Sequence, residues 1–363
     1  MEFFKKYLLP GFVFQSVVIG GGYATGRELV EFFFSIGPLG GVLGLLMSGL
    51  VFGLVLAAGF EFARVTQAYD YRHFCRALLG RGWVIFEIAF IVLLLLILSV
   101  IGSAAGELTS VSFGVPSVVG TLVLMALIAL LTFSGSEAIK KVLAAWSFLL
   151  YFVYAALLLL AFLKFGDAIS GVFSAIAVGD GWIKSGVLYS GYNLAVLPAV
   201  LFAVKGQKSR RESVGSGLMA GAIAVVPAVL FFVAMMALYP EIGTAPVPAS
   251  MLMAALEMPV LSFLFQVVVF GTFVETGTAL LHAVNERLDA SFTEMGREMP
   301  QFARPLVAVG ILAVAIIAGT YFGIIDLIAS GYGFLTLVFI AVLVVPLLTI
   351  GVWRAIKGEA KNA

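Results

Sequence analysis

The sequence predicts an all-α integral membrane protein of ten transmembrane helices, built as two inverted repeats of five with helices one and six broken. Three observations carry this prediction. Of 363 residues, 62% are hydrophobic and only 11% charged, with a mean hydropathy of +1.14; soluble domains run about 45–50% apolar and about 25% charged. Lys and Arg fall on alternate loops between the apolar segments, and glycine-bearing interruptions recur about half a chain apart. A water-soluble globule is excluded, because a chain this apolar cannot hide its surface inside itself. With 21 basic and 20 acidic residues, no polyanion-binding surface and no nucleic-acid partner is expected. One Cys excludes an intramolecular disulfide, and two His with one Cys argue against a His/Cys metal site.

A spanning helix needs about 20 apolar residues. Hydropathy marks ten segments, near 8–34, 38–61, 82–106, 116–133, 139–163, 183–204, 213–239, 257–285, 304–321 and 325–353. The first follows Lys5 and Lys6 as a secretory signal would. It contains Arg27 and Glu28 and has no clear A-x-A cleavage site, so it is read as a retained helix. With the N-terminus cytoplasmic, the inner loops carry Arg64, Arg72, Arg76 and Arg81, then Lys140 and Lys141, then Lys205, Lys208, Arg210 and Arg211, then Arg287, Arg297 and Arg304, and finally Arg354, Lys357 and Lys361. With Lys5 and Lys6 that is 18 of the 21 basic residues. The bias holds loop by loop, and a missed or extra helix would invert every later loop. Both termini are therefore expected in the cytoplasm.

Five spans (1–163) precede an outer connector (164–182), and five follow it (183–363). Because five is odd, the second set starts on the opposite side, which is an inverted repeat. Residues 167–173 suggest a short interfacial helix. The outer segment 240–256, with Pro240, Pro246 and Pro248 before apolar Met251–Leu256, suits a short helix over the outer mouth or an ordered connector.

The first span reads Ile19-Gly20-Gly21-Gly22-Tyr23-Ala24-Thr25-Gly26-Arg27-Glu28. Each mid-helix glycine costs about 1 kcal/mol against Ala, and unpaired backbone in a bilayer survives only where protein or a wet cavity shelters it. The run implies either an unwound stretch between two half-helices or tight small-residue packing, since Gly22 and Gly26 have Gly-xxx-Gly spacing. The sixth span tilts the balance: Tyr189-Ser190-Gly191-Tyr192-Asn193 leads to Pro198, which cannot donate to a helix ladder. Gly22-Tyr23 and Gly191-Tyr192 stand 169 residues apart. Paired interruptions point to a midplane site. There half-helix N-termini offer N–H groups to anions and C-termini offer carbonyls to cations, with Tyr23 and Tyr192 as aromatic walls and Ser190 and Asn193 as polar contacts. Ordinary packing is the competing reading of both tyrosines.

Gly22-Tyr23-Ala24-Thr25-Gly26-Arg27-Glu28 resembles the Gly-Phe-Ala-Ser-Gly-Arg-Glu pattern of the YkvI-type membrane proteins, of the amino acid–polyamine–organocation superfamily with the LeuT fold. Tyr and Thr replace Phe and Ser. The ten-span plan resembles the family throughout, whereas the motif match is mostly in the first span. The resemblance implies a 5+5 LeuT-like repeat with substrate held between the broken first and sixth helices, and coupling to Na⁺ or H⁺. Wider relatives carry amino acids, amines, nucleobases or osmolytes.

A charge inside a bilayer is a functional candidate by default. Glu275 lies well within span eight, and Thr272, Glu275, Thr276 and Ala279 share one helical face. Relatives with this fold use eighth-helix hydroxyls for a sodium site. The face is therefore expected to hold the coupling cation or to carry a proton, with a structural carboxylate as the alternative. Arg27, Glu28 and Glu31 follow the first break. Arg27 resembles the outer-gate arginine of some relatives, with Asp326 as its partner; Glu31, at i+4, is the competing partner. Ser99 and Ser103 share a face of span three, so Ser103 either lines the cavity or packs between helices. No nucleophile–base pair, P-loop or filter-like repeat stands out, so neither an enzyme, an ATP-driven pump nor a channel is expected. The expected function is ion-coupled secondary transport of a small organic solute, an amino acid or related amine. The alternative is a permease-like sensor of the same ligand class. The expected partners are the solute and membrane lipid. No cofactor is implied beyond a bound Na⁺ or a transported proton.

Overall fold

The computed structural model describes residues 2–133, 136–175, 177–294, 296–300 and 302–358. Lys361 and the side chains of Lys140 and Lys141, which entered the charge count, lie outside the described residues. Every regular element among the described residues is helical. A chain that must satisfy its backbone groups without water has no other open choice.

The first span is three pieces: α1 (Leu9–Val18), α2 (Gly21–Thr25) and α3 (Arg27–Phe33). Then follow α4 (Pro38–Thr66), the short α5 (Tyr71–Leu79) capped by Asp70, α6 (Trp83–Phe113), α7 (Ser117–Phe133) and α8 (Ser136–Ala175). The second half holds α9 (Trp182–Asn193), α10 (Leu197–Val200), α11 (Arg210–Met235), α12 (Pro248–Ala255), α13 (Pro259–Glu294), α14 (Ala303–Asp326), α15 (Gly333–Phe339) and α16 (Val352–Lys357). Seven helical stretches among the described residues are long and apolar enough to cross a membrane, and Ser117–Thr132 is a shorter apolar one. The last stretch, Ala303–Lys357, has 55 residues. Straight, it would reach about 82 Å, against a hydrocarbon core of about 30 Å. It is not straight, because Gly323 (φ 72°, ψ 167°) is non-helical and turns the chain.

Of the two outer segments, one matches its expected helix and one does not. The outer segment does carry a short helix, α12. Residues 167–173 form no separate helix, however, because α8 runs unbroken to Ala175. No proline interrupts it, and continuing the ladder satisfies each backbone group in turn.

The core is organised around α4 and α11, which lie against each other. A Cβ on Gly221 would collide with the Gly49 carbonyl and the Gly53 backbone, and one on Gly217 with the backbone of Ala57. The two helices thus meet backbone to backbone, as small residues permit in a membrane. α1 packs on α11 and α9 packs on α4. The opposite face of α4 presents Leu46, Leu50 and Leu54, each about half exposed, at i, i+4 and i+8. That stripe suits lipid, not water. Overpacking against backbone has no soft side chain to absorb it, so Gly221→Leu is expected to cost more than about 3 kcal/mol and to remove most monodisperse protein from a detergent extract. A wild-type elution profile for that variant would refute the close crossing.

Candidate functional site

The first break is geometric fact. Ile19 (φ −74°, ψ 69°) and Gly20 (φ −96°, ψ −168°) leave the helix, α2 makes little more than one turn, and Gly26 is left-handed at φ 79°. Glycine suits position 26 twice over: an L side chain is strained there, and a Cβ would sit 2.8 Å from Met235 Sδ. Thr25 fastens the turn, its Oγ1 donating to the Gly22 carbonyl (2.6 Å) and accepting from the Arg27 N–H (3.2 Å). The Tyr154 hydroxyl of α8 donates to the Ala24 carbonyl. The fragments are therefore held from both sides of the break.

The second break is of another kind. The expected unwound stretch is absent: residues 194–204 stay right-handed and tighten into 3₁₀ turns around α10. Pro198 falls in the first turn of α10, where a missing N–H matters little. One turn earlier, within α9, a side chain from another helix reaches the backbone. Thr336 of α15 accepts from the Tyr192 N–H (3.2 Å) and donates to the Leu188 carbonyl (2.7 Å). Residues 188 and 192 are an i→i−4 pair of α9, so the hydroxyl bridges that helix's own ladder. A hydroxyl inserted into that ladder is a recognised cause of helix distortion. Gly191 permits the approach, since a Cβ there would lie 2.8 Å from the Thr336 carbonyl oxygen. The Asn193 amide donates to the Tyr189 carbonyl at 2.9 Å.

Both breaks open on one cavity of about 310 Å³. Of the residues singled out from sequence, Gly20, Gly22, Tyr192, Asn193, Thr272, Glu275 and Thr276 line it. Three helices far apart in the chain are thereby brought together. Thr272 Oγ1 donates to the Val268 carbonyl of its own helix (2.9 Å). Gly21 opens α2 between the two lining glycines.

Other predicted residues serve the scaffold. The Ser190 hydroxyl donates to the Gly186 carbonyl (2.8 Å) and reaches the Ser48 carbonyl, joining α9 to α4. Ser103 is buried where α6 meets α14 at Gly319, so the packing alternative describes it. Tyr23 is fully enclosed, and its hydroxyl has no partner among the described residues. Arg27 does not meet Asp326, which is exposed. Its guanidinium donates to Glu31 (3.0 Å) and to the carbonyls of Gly243 and Ala245 (2.8 and 3.2 Å), tying α3 to the 240–256 segment. The local partner wins because α3 already holds Glu31 one turn away.

The residue that sequence reasoning missed is Glu28. It is 5% exposed and lines the cavity. It accepts a 2.6 Å hydrogen bond from the Tyr192 hydroxyl, so one bond ties the first broken helix to the sixth. Tyr192 stacks on Tyr332 with centroids 4.5 Å apart and planes 17° apart. Glu28 also sits against Gly22, where a Cβ would overlap its carboxylate. A signal for it was present: once Arg27 is assigned to Glu31, Glu28 is the unmatched charge in a spanning segment. Ser16, Tyr151 and Tyr332 complete the polar lining and were not anticipated.

An all-helical bundle with interrupted helices around a central cavity is the architecture of the LeuT-fold transporters. Over 97% of the chain it superposes on MhsT, solved in complex with L-phenylalanine, covering 97% of that chain with TM-score 0.57 and 14% identity. It also superposes on a manganese transporter of Eremococcus coleocola bound to an aromatic bis-isothiourea substituted compound (TM-score 0.55, 17% identity, 98% and 83% covered). A third likeness is to the inward-facing conformation of Mhp1 (TM-score 0.53, 16% identity, 96% and 75% covered). These likenesses establish the fold. In sequence, the chain is similar to the uncharacterized membrane protein YkvI of Bacillus subtilis (strain 168), 29% identical over 219 residues. That match takes in 58% of this chain and about 60% of the relative's length. No described family's profile matches the chain.

Proposed function

We propose that this protein is a secondary transporter that moves a small organic solute, an amino acid or related amine, across the cytoplasmic membrane by alternating access. The observation that carries the reading is that both interrupted helices, half a chain apart, line one cavity together with Glu28, Glu275 and the α13 threonines. In this reading the chain crosses ten times as a 5+5 inverted repeat. The three-piece first span and the short Ser117–Thr132 helix each count as a crossing, and Ala303–Lys357 divides at Gly323 into two. The reciprocal packing of α1 on α11 and α9 on α4 is what a pseudo-twofold relation between halves requires. The lysine and arginine bias puts both termini in the cytoplasm. An Arg27–Asp326 gate would have to form in another conformation of the cycle.

Solute would sit between Gly20–Gly22 and Tyr192–Asn193. Glu275, Thr272 and Thr276 would serve the coupling ion or proton from the α13 wall. Hydroxyl and carboxylate oxygens suit a hard cation. Uptake of labelled solutes into proteoliposomes under an imposed Na⁺ or H⁺ gradient tests the function. Binding without accumulation under either gradient would replace transport with sensing. Glu275→Gln is expected to keep solute binding within a few-fold but to abolish gradient-driven accumulation. Accumulation by that variant with the same ion dependence would remove Glu275 from coupling.

A further inference from the structure

The cavity is electrically one-sided. One helix of ten residues ends on it by its C-terminus: α1, through Val17 and Val18, just before the chain leaves the helix at Ile19. A helix C-terminus carries roughly half a negative charge. The helix starts nearest the breaks belong to α2 and α10, of five and four residues, too short to offer a matching positive end. Glu28 adds a carboxylate, and no Lys, Arg or His is among the described lining residues. Arg27, its chain neighbour, is committed to Glu31 and the 240–256 carbonyls. Tyr192 and Tyr332 supply stacked ring faces beside the carboxylate, which attract cations. At about 310 Å³ the space is at the small end of ligand cavities.

From this geometry we infer that the solute is a small primary amine bound as its ammonium cation, with Glu28 as the anchoring carboxylate, and that a carboxylate on the solute is not required. The inference rests on the cavity being the transport site proposed above, and it narrows the amino-acid-or-amine class to its amine side. Tyr192 is the internal stand-in: its hydroxyl occupies the Glu28 oxygen that an ammonium would take. Binding exchanges that neutral donor for a cation, which adds the attraction of two opposite full charges in a water-poor site.

The test is calorimetric titration of the purified full chain in detergent with three probes of one shape: 2-phenylethylamine, phenylalanine and 3-phenylpropionate. n-Butylamine serves as a smaller amine. Binding of at least one amine, with phenylpropionate silent and phenylalanine no tighter than phenylethylamine, is the expected order. Glu28→Gln should weaken amine binding by at least about tenfold. Tyr192→Phe keeps the ring and removes the competing hydroxyl, so it should bind amine at least as tightly as wild type. The two variants therefore move in opposite directions, which a general loss of folding cannot produce. Neither amine binding at 10 mM, tighter binding of phenylpropionate, or an unchanged amine Kd in Glu28→Gln would each overturn the inference. Proteoliposome uptake separates the two readings. Amine bound but never accumulated overturns transport alone, whereas accumulation of a solute without an amine, unaffected by Glu28→Gln, overturns this inference alone.

Discussion

Gly22→Ala is expected to reduce solute binding and uptake by more than tenfold while the folded protein survives. The added Cβ would overlap the Glu28 carboxylate, with Cδ at 2.8 Å and Cγ at 3.1 Å. Glu28 is the far end of a flexible side chain, so it can move where backbone could not. Moving takes it off the Tyr192 hydroxyl and out of its place in the cavity. A buried group that loses its hydrogen-bond partner costs about 1–3 kcal/mol, which a protein of this size absorbs as a shift of a few degrees in Tm. Gly20→Ala is the matched control. Its Cβ would meet Thr276 and Val17 at 3.8–3.9 Å, ordinary contact distances, and Gly20 has an extended backbone that any residue adopts. Uptake and thermal unfolding of both variants, measured side by side, decide the point. Equal uptake by the two would mean that Glu28 does not need its present position.

That contrast marks where sequence reasoning stops. Glycines 20, 21 and 22 look alike as helix-breakers, and the break itself was legible because its cause is local. Which glycine is sterically required depends on Glu28 folding back across α2. The same division holds elsewhere. The all-helical membrane character, the first interruption and the placing of Thr272, Glu275 and Thr276 on one α13 face followed from hydropathy, punctuation and helical period. All three α13 residues line the cavity with residues of both interrupted spans. Glu28 was hidden by its neighbours, because Arg27, Glu28 and Glu31 read as one charged cluster at a helix end. Only the Arg27–Glu31 pairing, fixed by the carbonyls of the 240–256 segment, isolates it. Pro198 drew attention to the wrong turn of the sixth span. Its effect on a helix is visible in sequence, whereas the group that bridges that helix's backbone is a threonine 144 residues away.

That threonine yields the second large effect. Thr336→Val keeps the side chain's shape and removes the hydroxyl, so Tyr192 N–H loses its acceptor and the Leu188 carbonyl its donor. The Tyr192 N–H is buried and the Leu188 carbonyl half-buried in a membrane-spanning segment, where unpaired backbone groups do not persist. The nearest remedy is mutual: the two are an i→i−4 pair of α9 and can rely on their direct bond once Thr336 no longer bridges it. Tightening the ladder turns residue 192 relative to Leu188 and draws its ring from Tyr332, which removes the stacked wall of the cavity. Keeping the break open without the hydroxyl would instead cost about 1–3 kcal/mol, roughly a 5- to 150-fold penalty on that conformation. By either route the valine variant is expected to lose more than tenfold in uptake. Thr336→Ser, which retains the oxygen, should restore most of it. Amide hydrogen exchange at Tyr192 distinguishes the routes, slowing in the valine variant if the ladder closes and quickening if it stays open. Wild-type uptake by Thr336→Val, with unchanged exchange at Tyr192, would show that the interruption of the sixth helix does not depend on this hydroxyl and that its source lies in the 3₁₀ turns beyond Asn193.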